Sequence, residues 1–202
     1  GAAVSYRDFQ FPGVVRDLGL TLDNVSMIPA LTPVPVRPAW LASLNHGVRL
    51  ARGIGTEKGK SEFVIAPVLL ELMDLLQDRS SVFSGIEFNV DPTRGLNGYC
   101  DFLISRSPVV YVLQAPVVAV AEAKNDNVLT GLGQCIAGMR AAWVFNAAEG
   151  IPVNQVFGVT TTGFEWKFLR LRDTALTIDL DDYLITDPGR ILAALVHMVE
   201  TA

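Results

Sequence analysis

The rhythm of apolar and polar positions changes several times along this chain, and each change marks an element. Between Ser61 and Asp78 the apolar residues Phe63, Ala66, Leu69, Leu70, Met73 and Leu76 recur at three- and four-residue steps, the spacing of one buried helical face. Pro67 interrupts that stretch, which predicts a kinked helix or a second helix opening there. SVFSGIEFNVD (81–91) reads as a strand, Pro92 to Gly98 as a turn, and GYCDFLISRS (98–107) as a second strand. A third strand lies in YVLQAPVVAVAEAK, with Pro116 before its core. Residues 130–148 return to helical spacing. VFGVTTTGFEWKFLRL (156–171) holds two β-rich runs around Thr162-Gly163, a hairpin signal. ALTIDLDDYL (175–184) predicts one more strand, and 191–201 a closing helix with Asp187-Pro188 at its start. Upstream, 39–51 predict a short helix, followed by a turn-rich loop at Gly53, Gly55 and Gly59. The first 40 residues, spotted with Pro12, Pro29, Pro33, Pro35 and Pro38, predict an irregular or partly helical arm.

Helix, three strands, helix and hairpin pack most naturally as an α/β fold, a mixed central sheet flanked by helices. The 202 residues suffice for a single domain with a sizeable core. An arm over 1–55 is expected to pack on a core over 56–202.

Composition narrows the class. Half of the residues are hydrophobic and 18% are charged, as in a well-packed globular chain. No apolar run approaches the ~20 residues of a membrane span, and no basic segment leads into an apolar one near the start, so neither a membrane nor secretion is expected. Cys100 and Cys135 fit no zinc spacing and read as small buried hydrophobes in a reducing compartment, which predicts a cytoplasmic protein. The net charge of −5 argues against a dedicated nucleic-acid coat protein. The charge is uneven, however: residues 37–60 hold Arg37, Arg49, Arg52, Lys58 and Lys60 against Glu57, while 173–202 hold six acids against Arg190. One face can therefore meet a polyanion, although ordinary solvated surfaces have the same composition.

Two strands then carry chemistry in unexpected places. Asp101 interrupts the apolar run Tyr99 to Ile104, and the next strand ends in Glu122-Ala123-Lys124. Aspartate is depleted in strands and rarely buried without a partner. Glu122 and Lys124 share one face by the two-residue strand period. If the strands are neighbours, Asp101 and Glu122 meet, and paired carboxylates repel unless a proton or cation joins them. Oxygen ligands of this kind suit Mg²⁺ or Mn²⁺. A lysine beside them can orient water and offset phosphate charge. A salt bridge at a strand end is the plainer alternative. Glu165-Trp166-Lys167 repeats the same triplet, but no aspartate precedes it by about twenty residues and no helix follows. It reads as an exposed strand face with cross-strand charge pairing. Glu87 is a further candidate carboxylate.

This order, a helix with Glu62, strands with Gly98-Tyr99-Cys100-Asp101 and Glu122-Ala123-Lys124, and a helix with Gln134, resembles the PD-(D/E)XK nuclease superfamily over residues 56–172. The segment from Ser61-Glu62 to Leu76 and the hairpin Gly163-Phe164-Glu165-Trp166 look like the nuclease domain of type I restriction subunits and small bacterial relatives. The resemblance implies a restriction endonuclease-like fold with an αβββαβ core and a Mg²⁺- or Mn²⁺-dependent nuclease acting on DNA. By the same likeness Asp101, Glu122 and the Ala123 backbone carbonyl hold the metal, Lys124 assists the water, Glu62 supports the site, and Gln134 resembles a glutamine that follows the motif in some members. Cys100 stands where the name-giving pattern has proline. Arg49, Arg52, Lys58, Lys60 and Arg94 are the candidate contacts to the nucleic-acid backbone. Cutting both strands of a duplex takes two sites, so a homodimer is among the expectations. The alternative is an inactive nuclease-fold module for binding or assembly.

Rival motifs fall short. Gly59-Lys60-Ser61 would need glycine at position 54 to make a phosphate loop, and Ile54 stands there. His46 and His197 form no catalytic pattern with either cysteine. Trp40, Trp143 and Trp166 read as core or interface anchors, with base stacking a minor alternative.

Overall fold

The computed structural model describes residues 1–202. A short helical turn at Tyr6–Asp8 is followed by α1 (Gly13–Asp17), β1 (Thr21–Val25), α2 (Pro38–Ile54) and α3 (Glu57–Lys60). Then come α4 (Ala66–Leu75), β2 (Ser81–Glu87), β3 (Tyr99–Ser105), β4 (Val117–Ala123) and α5 (Leu132–Ala148). The chain closes with β5 (Val156–Thr161), β6 (Glu165–Arg172), β7 (Ala175–Asp179), β8 (Tyr183–Leu184) and α6 (Pro188–Thr201).

The strands make one eight-stranded mixed sheet in the order β1-β7-β6-β5-β4-β3-β2, with β8 added beside β6. β1 runs parallel to β7 and β4 parallel to β5, and the other pairs are antiparallel. Helix α5 connects β4 to β5, as a parallel neighbour requires a crossover. It covers one face with Tyr6, Phe9 and Val14 of the N-terminal segment. Helices α2, α4 and α6 cover the other, around Phe102, Ala121, Val159 and Phe168. The molecule is thus an α/β fold with helices on both faces of a mixed sheet. The hairpin at Thr162-Gly163 forms as expected, with Gly163 at a positive φ of 84°.

Several elements depart from expectation. The arm is more ordered than its prolines suggest: β1 extends the sheet, and Gly133 of α5 lies so close to the Phe9 carbonyl that a Cβ there would collide with it. The predicted loop at 53–61 contains α3, because the Thr56 hydroxyl accepts from the Gly59 N–H at 3.0 Å and caps a short turn. Pro67 follows the second of its two expected courses and opens a helix rather than kinking one. A wide helical turn at Ser61–Ile65 precedes α4, and Pro67 sits in its first turn. Proline has no N–H for the carbonyl four residues back, and that Phe63 carbonyl is directed at Gly47 of α2, where any Cβ would occupy its place. The span 175–184 is two strands rather than one. Residues Val128–Ala148 are long and apolar enough to cross a membrane by length and composition, contrary to the reading of the sequence, but this stretch is mostly buried across the sheet as a core helix. The second triplet is not an exposed face. Lys167 is 8% exposed and donates to the carbonyls of Asp179 and Asp181 and to Asp182 Oδ1 at 3.0, 3.1 and 3.2 Å.

Candidate functional site

The central pair β3–β4 positions the chemistry. Phe102 stands opposite Ala121, and the same antiparallel register sets Asp101 opposite Glu122 on one face. Asp101 Oδ2 accepts from the Ala123 N–H at 2.8 Å, so a side chain supplies the last bond between the two strands. The N–H and C=O of one strand residue point to the same side, which aims the Ala123 carbonyl along that edge as well. On the other side of β4, the Lys124 N–H donates to the Thr161 carbonyl at 2.9 Å and anchors the lysine to β5.

Glu122 is the anomaly. It is 1% exposed, and neither carboxylate oxygen has a hydrogen-bond partner. A buried polar atom without a partner costs about 1–3 kcal/mol, and a charged one more. Burial holds the Glu122 acid protonated well above the ordinary carboxylate range, and the adjacent Asp101 raises it further. Lys124 acts in the opposite direction but does not offset these. Tyr6, Cys100 and Cys135 are also pushed up, in each case first by burial and next or later by the nearby Glu122.

A cleft of about 500 Å³ opens beside this pair, and Asp101, Lys124 and Gln134 line it. The Lys124 side chain passes along Gly131, where an added Cβ would approach its stem to 3.1 Å. The structure therefore gathers four residues singled out from the sequence: Asp101, Glu122, Lys124 and Gln134.

Glu62 is not among them. Its carboxylate lies 3.8 Å from the Lys58 ammonium, and its side chain is 55% exposed. Glu57, five residues earlier, lines the cleft instead. Burial first, then Asp101, raises its pKa, while Lys124 and Lys60 lower it. Glu87 lies exposed at the end of β2, opposite Tyr99.

The basic candidates scatter. Arg49 and Arg52 line a separate hollow with Ile185 and Thr186, and Arg52 lies 5.2 Å from the Phe164 ring centre. Arg94 lines another hollow near Asp17 and Thr93. Lys58 is held by Glu62. Lys60 is 8% exposed and donates to both the backbone carbonyl and Oδ1 of Asn125, the residue after Lys124, so it braces the loop beyond the strand. The cleft draws instead on Ser5, Tyr6, Arg7 and Tyr99, which the sequence did not single out. Tyr99 was within reach of the strand period, two residues before Asp101. No local signal in the sequence tied the N-terminal residues to the site.

No group of three or more His, Cys, Asp and Glu side chains gathers closely enough to hold a metal by protein ligands alone. The carboxylates of Glu122 and Asp101 are nevertheless hard oxygen donors of the kind Mg²⁺ takes. A scan against known protein families and a search of curated proteins each return no match.

Proposed function

We propose that this cleft is the site of a divalent-metal-dependent nuclease that hydrolyses phosphodiester bonds, most naturally in DNA, on a restriction endonuclease-like sheet of the PD-(D/E)XK type. The observation that carries the reading is the buried Glu122 carboxylate, unpartnered at both oxygens, facing Asp101 and followed on the same face by Lys124. The lysine of the other acid-x-lysine triplet, Lys167, by contrast has three oxygen acceptors.

Asp101, Glu122 and the Ala123 carbonyl would hold Mg²⁺ or Mn²⁺, which when bound neutralises phosphate charge and acidifies a coordinated water. Lys124, at the cleft wall, would supply an ammonium that orients the attacking water and offsets the charge gathering on the phosphate. Gln134, on the first turn of α5, offers both a donor and an acceptor beside it. Lys60 holds Asn125 and thereby the loop that follows Lys124.

Cleavage of plasmid and single-stranded DNA with Mg²⁺ or Mn²⁺ tests this, beside Asp101→Ala and Lys124→Ala. Activity confined to the wild type is the expected result. Equal activity in all three proteins rejects it.

A second reading, an inactive binding or assembly module, is favoured by the lack of a third close ligand. Calorimetric titration with Mn²⁺ separates the two: heat that is lost in Asp101→Ala supports the metal site, and no heat at millimolar Mn²⁺ supports the module.

A further inference from the structure

The rim of the cleft carries an aromatic ring that hydrolysis does not require. Tyr99 opens β3 two residues before Asp101 and so stands on the same face. It is 63% exposed. A large ring left in water forfeits the burial that ordinarily places a tyrosine.

Arg7 lines the same cleft, and its position is fixed although it lies near the start of the chain. Asp8 Oδ2 accepts from the N–H groups of Val4 and Ser5, each at 2.9 Å. The Tyr6 N–H donates to the Asn97 carbonyl at 3.0 Å, and its hydroxyl donates to the Phe88 carbonyl. These bonds bolt the segment to the turn that leads into Tyr99. Ring and guanidinium are therefore presented on a rigid frame, the arrangement that lowers the entropic cost of binding.

The cleft of about 500 Å³ falls within the size of a pocket for one small ligand. That admits a nucleotide or two, not a paired helix. A duplex would also call for a basic surface continuous with the cleft, whereas Arg49, Arg52 and Arg94 line other hollows. An exposed ring can stack on any unpaired base, and a guanidinium matches a phosphate with two donors.

We propose that Tyr99 is a stacking platform and Arg7 a phosphate contact for an unpaired DNA segment, so that the cleft takes single-stranded DNA in preference to duplex. This deepens the nuclease reading and rests on it for the nature of the ligand.

Fluorescence anisotropy in Ca²⁺ tests it, with a labelled oligothymidylate alone and the same strand in a duplex. The wild type binds the single strand more tightly. Tyr99→Ala weakens that binding about 5- to 100-fold, while Tyr99→Phe, which keeps the ring, changes it by less than about threefold. Arg7→Ala weakens both and reduces the slope of log affinity against log salt by about 1. Circular dichroism matching the wild type establishes that each variant is folded. Equal affinity for single strand and duplex, no binding of either, or an unchanged Tyr99→Ala overturns the proposal. Cleavage of duplex with no Tyr99-dependent binding overturns it and leaves the nuclease reading standing. Tyr99-dependent binding without cleavage in Mg²⁺ or Mn²⁺ does the reverse.

Discussion

The chain writes acid-x-lysine twice, and the two copies end in opposite circumstances. In Glu122-Ala123-Lys124 the acid is buried with no partner and the lysine lines an open cleft. In Glu165-Trp166-Lys167 the lysine is buried and has three oxygen acceptors, two of them carbonyls at the last residue of β7 and just beyond it. The middle residues differ as well. Trp166 is fully buried and its indole donates to the Gly163 carbonyl, which ties the second copy to its own hairpin. Ala123 leaves room, and its amide is bonded by Asp101 from the next strand. The lysine of the second copy is satisfied within the fold, whereas the acid of the first has unused bonding capacity. Unmet capacity in a buried position, rather than the triplet itself, separates a candidate site from a structural brace.

Five substitutions sharpen that contrast. The largest effect is expected at Lys124→Ala, which should reduce DNA cleavage by about 10²–10⁴-fold in plasmid assays, with a melting temperature near that of the wild type. Lys167→Ala should do the opposite. It strands the carbonyls of Asp179 and Asp181 and should cost about 1–3 kcal/mol in urea denaturation, with cleavage per folded molecule retained. A reversal of these two outcomes would exchange the roles assigned to the copies.

Glu122→Gln comes next and carries a pH signature. Because the folded-state pKa of Glu122 lies well above its ordinary value of 4.5, the folded protein holds that proton more tightly than the unfolded chain. The resulting stability is present in full below the unfolded pKa and is lost as pH rises through the folded one. Metal-free wild type should therefore lose stability relative to Glu122→Gln on going from acid to neutral and alkaline pH. Thermal melts of both proteins across that window check it, and added Mn²⁺ should restore the wild type alone. The smallest effects distinguish the helix acids. Glu57→Ala should lower cleavage about tenfold, as supporting groups at metal sites do. Glu62→Ala removes an exposed pair and should change stability by less than about 0.5 kcal/mol, with cleavage unaltered.

Asp101, Glu122, Lys124 and Gln134 were legible in the sequence because adjacent strands and a following helix bring them together by short-range rules. Strand period, hairpin register and a helix start place them without long-range information. Glu57 was missed in favour of Glu62 because the helical region starts earlier than its apolar spacing shows: the Thr56 cap and the wide turn at Ser61–Ile65 rotate the face that meets the sheet. The contribution of Ser5, Tyr6 and Arg7 rests on bonds to Asn97 and Phe88, about ninety residues away, which no local pattern encodes. β1 escaped for a different reason. All five of its residues are exposed on a sheet edge, so there is no apolar alternation to read. Lys167 looked solvated because the segment at Asp179–Asp182 folds back over it only in three dimensions.

The bond from the Ala123 amide to Asp101 makes that single proton an internal gauge. Whatever draws the Asp101 carboxylate toward a cation must loosen or tighten the last rung between β3 and β4. The exchange rate and chemical shift of the Ala123 amide should therefore follow occupancy of the site, with no label added and no turnover needed. Asp101→Asn would keep an oxygen for the amide while removing the charge, so its amide should stay protected yet no longer respond to Mn²⁺.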